Sequence, residues 1–248
     1  MDKPSGESQI NQYNKLSAEY SALTEIDPAK QFVQYPEALR LLGDIDGKKI
    51  LDIGCGPGTF ARMLSRRGAD VVGYDPSIEQ IKKAKQTEEQ EKLGIKYFVG
   101  DRASISPEFK FDKAVSVMVL MYATDKKKLQ DIFAGANEAL EENGSFCSIT
   151  FNPTFKRFGE VTYNRRVVRT EDGKIRVDFL DEDSNVKISA NFSDFSVSDY
   201  ETAAKEAGFS KIEWVKLEIV PEGKEKMGND YWKDFENDPP YIGLVATK

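Results

Sequence analysis

After nine polar residues, apolar side chains recur at Ile10, Tyr13, Leu16, Tyr20 and Leu23, the spacing of one helical face. A different rhythm begins at residue 48. The run KKILDIG is a short apolar segment of the kind that is buried on both faces, and it predicts a strand ending at Asp52. Residues 60–67 repeat with helical period and are closed by Gly68. Residues 71–74 predict a second strand. Ser77 then caps a helix to about Gly94, with Gln80 three residues on as the partner of a capping box. Residues 95–99 and 113–119 predict a third and a fourth strand, with a short helix before the fourth. Asp125 opens a helix to about Glu141, and residues 145–151 predict a fifth strand after Gly144. Strands alternating with helices of ten or more residues describe βαβ units and a parallel sheet.

The rhythm breaks after Phe151. Three alternating runs follow, at 161–170, 174–180 and 186–192, separated by Asp172-Gly173 and by the polar stretch 181–185. They predict an antiparallel meander inserted over 156–195. The helical rhythm resumes with Ser198 and Glu201 as a second capping box and stops at Gly208. Residues 212–220 predict a strand, 221–240 a polar stretch bearing aromatics, and 241–247 a last strand. The expectation is one α/β domain over 1–248. Its parts are a helical cover at 10–30, a ligand-binding half at 48–151, the inserted meander at 156–195 and a closing helix and strands at 198–248.

Composition narrows the chemistry. The 248 residues are 40% hydrophobic and 31% charged, enough to fill a core, and the net charge of −7 opposes general nucleic-acid binding. The apolar run 114–123 is too short to span a bilayer, and the first residues show no secretory signal, so a soluble cytoplasmic protein is expected. Two cysteines, Cys55 and Cys147, exclude a disulfide framework and a four-cysteine zinc site; both read as small buried residues. There is no histidine. That removes a Ser-His-Asp triad, a Cys-His dyad, His-ligated zinc and a histidine base, and no metal is expected.

The strongest motif is ILDIGCGPGTF, residues 50–60. A buried strand ends at Asp52, and Gly54, Gly56 and Gly58 lead into a helix. Glycines there permit a tight turn and close approach of a ligand to free N–H groups at the helix start. An ordinary strand-to-helix turn is the plainer alternative. The G-x-G-x-G spacing departs from the dinucleotide G-x-G-x-x-G, and no Lys-Ser/Thr follows as a phosphate-binding loop would require.

The motif resembles the first motif of the class I S-adenosylmethionine-dependent methyltransferases. That resemblance implies a Rossmann-like fold, a mostly parallel seven-stranded sheet with helices on both faces, and S-adenosylmethionine as cofactor. It implies that Asp75, in VVGYDPS, takes both ribose hydroxyls, with Pro76 against the adenine. It implies that Asp101, in YFVGDRA, holds the adenine amino group, flanked by Gly100 and Arg102. In VSVMVLMYA, residues 115–123, it makes Met118 a cofactor contact and Leu120 and Tyr122 acceptor contacts, although core packing suits the same residues. Tyr13 and Tyr20, in YNKLSAEY, resemble the helical cover of small-molecule members. Tyr13 could meet cofactor and acceptor, or the helix could simply dock.

With no histidine base, a nitrogen acceptor is favoured over an alcohol. The acceptor is expected to be small and flat, held by Asn152 and by the aromatics Phe158, Phe179 and Phe192 of the meander. The meander's place and the stretch YWKDFENDPPYIG, residues 231–243, are similar to the toxoflavin-type azapteridine N-methyltransferases. Asn237 to Tyr241 imitate the Asp-Pro-Pro-Tyr motif of nucleic-acid amine methylases, but far from its usual place, and read as turn chemistry. No nucleic-acid or membrane partner is expected. The protein is expected as a monomer or homodimer, the meander serving as a lid or as a dimer interface. O- or C-methylation, or a non-catalytic cofactor-binding scaffold, are the alternatives.

Overall fold

The computed structural model describes residues 27–162, 164–181 and 183–248. The helix expected at 10–30, with Tyr13 and Tyr20, therefore lies almost wholly outside the described residues. The first described element is one the hydropathy reading missed: a π turn over Lys30–Gln34 continuing into a helix over Tyr35–Leu42. Phe32, Val33, Ala38 and Leu42 are its buried face, and their spacing was visible in the sequence.

Seven strands form the main sheet: β1 Lys49–Ile53, β2 Asp70–Asp75, β3 Lys96–Val99, β4 Phe111–Val117, β5 Leu140–Phe151, β10 Lys211–Val215 and β11 Tyr241–Thr247. Their order is β10-β11-β5-β4-β1-β2-β3, and β1 to β5 run parallel. β11 runs antiparallel to both β5 and β10. Strand alternation divides the core into two layers. Ile50 packs on one face with the helices at 30–42, 59–65 and 78–91, beside Trp232 and Phe235. Leu51 and Ile53 pack on the other with the helices at 126–139 and 197–206. Burial on both faces explains why the parallel strands read as unbroken apolar runs.

The meander is a second sheet of four antiparallel strands, β6 Val161–Thr162, β7 Arg165–Arg169, β8 Lys174–Leu180 and β9 Val186–Ser193. The first expected run thus splits in two. A third apolar cluster, of Met121, Phe151, Phe155, Val167, Ile175 and Phe192, joins this sheet to the exit of β5.

Several boundaries moved. The helix before β5 stops at Ala139, because Leu140 already pairs with Phe111, so β5 starts earlier than Ser145. The second capping box is built by Ser196 and Asp199, not Ser198 and Glu201; the Ser196 hydroxyl accepts from the Asp199 amide at 3.3 Å and the Asp199 carboxylate takes the Ser196 amide at 3.0 Å. β10 ends at Val215 rather than Val220. The polar stretch 221–240 holds two helices, Pro221–Met227 and Asn229–Asn237, with Trp232 and Phe235 in the core as the aromatic spacing allowed. Among the described residues no helix is long and apolar enough to cross a membrane.

Candidate functional site

The carboxyl ends of β1, β2, β3 and β4 meet at one edge, and backbone bonds tie them together. The Cys55 amide donates to the Tyr74 carbonyl at 3.0 Å, and the Gly100 amide to the Asp75 carbonyl at 3.0 Å. The three glycines of the loop serve different ends. All have φ between +53° and +79°. A Cβ on Gly54 would stand 2.6 Å from a Val119 methyl, and one on Gly58 would collide with the Tyr97 hydroxyl. A Cβ on Gly56 would meet nothing within 4 Å. Gly56 is thus the point where the backbone faces open space.

Two buried carboxylates stand at this loop. Asp75 accepts from the Gly56 amide at 3.0 Å and, through its other oxygen, from the Ser77 amide at 2.8 Å. Burial pushes it up to about 6, against the downward pull of those two amides. Asp52 is 2% exposed, and its Oδ2 has no hydrogen-bond partner. Burial first, and the charge of Asp75 second, push it up to about 8. A buried acceptor without a partner is costly and calls for a donor or a cation.

Pro76 is exposed at the entry to the helix over Ile78–Glu91. Asp101 is exposed and takes the Ala103 amide at 2.9 Å, capping a short 3₁₀ turn. Gly100 has φ +120°. Arg102 turns away from the loop: its guanidinium donates to the Ile105 carbonyl at 2.8 Å and pairs with Glu138 at 3.5 Å. It is buried against Gly135 of the neighbouring helix. Met118 holds φ +60°, a rare conformation for a side-chain-bearing residue, and its amide donates to the Ile149 carbonyl at 2.7 Å.

Met118 is also the link to a second space. It lines a cavity between the sheet edge and the meander, together with Tyr122, Phe151, Phe179, Phe192 and Tyr241. The free room is about 30 Å³. Tyr122, Phe179 and Phe192 are therefore gathered as expected from the sequence. Leu120 is not; it is fully buried in the core beside the helix over Lys126–Ala139. Asn152 sits beside the cavity as a brace, donating to the Pro239 carbonyl at 2.9 Å and accepting from the Thr154 amide at 2.9 Å. Phe158 packs edge-on against Phe155 beneath Arg169.

The sequence reading missed the polar end of this cavity. Thr162 and Arg165 line it, and Arg165 is 6% exposed. Its guanidinium pairs with buried Asp27, donates to the Tyr241 hydroxyl and lies 4.9 Å from the Phe179 ring centroid. Burial works against its charge, but Asp27 holds the arginine protonated. The signal was strand parity: Arg165 shares its face with Val167, an inward position. Both cysteines are buried, and burial raises their thiol pKa values, that of Cys147 up to about 12, so neither is a nucleophile at neutral pH. Among the described residues no three His, Cys, Asp or Glu groups are placed to hold a metal ion.

Residues 50–144 match the family model described as a methyltransferase domain. The chain is 30% identical over 164 residues to a ubiquinone biosynthesis O-methyltransferase of Bradyrhizobium diazoefficiens, covering 60% of this chain and 64% of that relative. It thus spans a little under two thirds of the curated relative. Two solved structures share the fold. An S-adenosylmethionine-dependent methyltransferase from Mesorhizobium loti superposes with a TM-score of 0.62 at 20% identity, over 87% of this chain and 97% of its own. One from Clostridium acetobutylicum gives 0.63 at 17% identity, over 95% and 98%.

Proposed function

We propose that this chain, a class I methyltransferase by its fold and by the methyltransferase domain at residues 50–144, binds S-adenosylmethionine and transfers its methyl group to a nitrogen of a small, flat, heteroaromatic acceptor. The observation that carries the reading is the unpartnered Oδ2 of Asp52 beside the open face of Gly56 and the half-occupied carboxylate of Asp75. Together they suit a cation that also carries two vicinal hydroxyls.

Each Asp75 oxygen already takes one amide and keeps one lone pair for a ribose hydroxyl. Asp52 offers its free oxygen to the positive methionine end. Asp101 and Pro76 edge the adenine side. Bound, the cofactor supplies an electrophilic methyl on a sulfonium. The protein's part is alignment and exclusion of water, and Met118 with the aromatic cavity wall serves both.

The nitrogen assignment rests on the cavity's polar groups. Among the described residues these are Tyr122, Thr162, Arg165 and Tyr241, and none is a ready base. A nitrogen lone pair needs no deprotonation before attack, whereas an alcohol does. The relatives' name favours an oxygen acceptor instead, and a phenolate bound already ionised would satisfy that second reading. Incubating the protein with methyl-labelled S-adenosylmethionine and a metabolite extract, then locating the label by mass spectrometry, decides between them. Label on nitrogen supports the first reading, label on oxygen the second, and no transfer to any acceptor favours a scaffold.

A further inference from the structure

The acceptor cavity has one chemically distinct end. Met118, Met121, Phe151 and Phe192 make most of its wall apolar. Opposite them stands the Arg165 guanidinium, buried, with Asp27 on one nitrogen and the Tyr241 hydroxyl on another. Its position is fixed from three parts of the fold. Asp27 precedes the first described helix and accepts from the Ala29 amide at 3.0 Å. Arg165 opens β7 of the meander, and Tyr241 opens β11 of the main sheet. The planar guanidinium also lies against the Phe179 ring.

A lone buried arginine in such a wall would recruit an anion. This one does not stand alone. The Asp27 carboxylate already neutralises it, and a second anion would have to displace Asp27 from a buried pair. What the pair still offers is directional: an arginine has five N–H donors, and its two described polar partners use two of them. We propose that Arg165 selects the acceptor, admitting a flat, uncharged aromatic molecule through a hydrogen-bond-accepting edge, a ring carbonyl or ring nitrogen, and disfavouring a carboxylate. The proposal rests on the cavity being the acceptor site, as in the proposed function.

Three two-ring probes differ mainly at that edge: 4-quinolone carries a neutral carbonyl, naphthalene no acceptor, and 2-naphthoate an anion. Ligand-observed NMR measures each with the intact chain, in the presence of S-adenosylhomocysteine. The wild type should bind 4-quinolone about tenfold more tightly than naphthalene and 2-naphthoate most weakly. Replacing only Arg165 leaves Asp27 buried and unpaired, so the informative variant is Asp27→Asn with Arg165→Gln. There the quinolone advantage should shrink to about twofold or less, with naphthalene binding unchanged. Arg165→Lys keeps the ion pair but loses the planar fork, and should lose most of the same advantage. Thermal unfolding confirms that each variant is folded.

Tighter binding of 2-naphthoate than of 4-quinolone would overturn the proposal. So would a quinolone preference that survives both variants, or no probe binding at all. Calorimetry of S-adenosylhomocysteine alone judges the cofactor reading separately, since failure there leaves the probe ranking interpretable.

Discussion

Asp75 and the loop glycines carry the sharpest expectations for single residues. Asp75→Ala should weaken S-adenosylmethionine binding by about 1.5–3 kcal/mol, the range for hydrogen bonds to a charged group, as read by calorimetry. Unchanged affinity would remove Asp75 from the site. Gly54 and Gly56 should respond differently to alanine. Both pay for a left-handed backbone, roughly 1–2 kcal/mol, but only Gly54→Ala also collides with Val119. Gly56→Ala should therefore unfold at a temperature closer to wild type while losing more cofactor affinity. Asp52 and Asp75 also set a pH dependence. Their folded pKa values are raised, to about 8 and about 6, from an ordinary 3.8. Above pH 4 the unfolded chain has lost protons that the folded chain still holds. Their contribution to stability is therefore full at low pH and is lost as pH rises, through 6 for Asp75 and 8 for Asp52. Asp52→Asn should flatten that decline in thermal unfolding of the ligand-free protein. These residues were legible because a glycine-rich turn after a buried strand has a local signature. Arg102 shows the limit: its side chain packs against Gly135, far along the chain, where a Cβ would stand 3.0 Å from it.

Among elements, the meander was visible from period-two alternation and turn residues, and the βαβ half from its apolar runs. The helix over Val197–Glu206 was visible too, but its start was displaced by two residues. Several serines and acidic residues in that stretch fit a capping pattern, and the one used starts the helix that buries Tyr200. Ser196→Ala should cost about 1 kcal/mol by urea denaturation, and Ser198→Ala distinctly less. The short helices at 221–237 were hidden because their apolar content is low, and they form by burying Trp232 and Phe235. The meander's two aromatics should likewise separate. Phe192 is 3% exposed, edge-on to Tyr122 and tilted against Phe151, and its truncation to Ala should cost about 3–5 kcal/mol of stability. Phe179 is only partly buried and faces the cavity beside Arg165. Phe179→Ala should spare stability and cofactor affinity and raise the acceptor KM.

For the whole molecule, the parallel sheet followed from chain rhythm, because strands alternating with helices make βαβ units; the strand order did not. The antiparallel placement of β11 between β5 and β10 did not, since pairing across ninety residues leaves no local trace. The cavity beside Met118 was half legible: Tyr122, Phe179 and Phe192 were named from the sequence, but Asp27, Thr162, Arg165 and Tyr241 converge only through tertiary folding. At this scale the expectation concerns metals. Turnover, once an acceptor is found, should survive EDTA, in keeping with the absence of a clustered ligand set among the described residues. Loss on chelation with recovery on adding magnesium would point to an oxygen acceptor activated by metal.

The cavity's size has a kinetic meaning. Its free room of about 30 Å³ is roughly a tenth of the smallest pockets that hold drug-sized ligands, about 300 Å³. If this cavity takes the acceptor, a two-ring compound needs the meander to move away from Phe151 and Tyr241 before it enters, and its methylated product needs the same movement to leave. The chain enters and leaves the four-stranded sheet through 152–160 and 194–196, and Arg165 also holds the sheet to Asp27 and Tyr241, so its movement has to release those contacts. Such an excursion drags solvent with it, whereas methyl transfer inside the closed space does not. Turnover should slow in proportion to added sucrose viscosity, with the dwell time of product, not the chemistry, setting the clock.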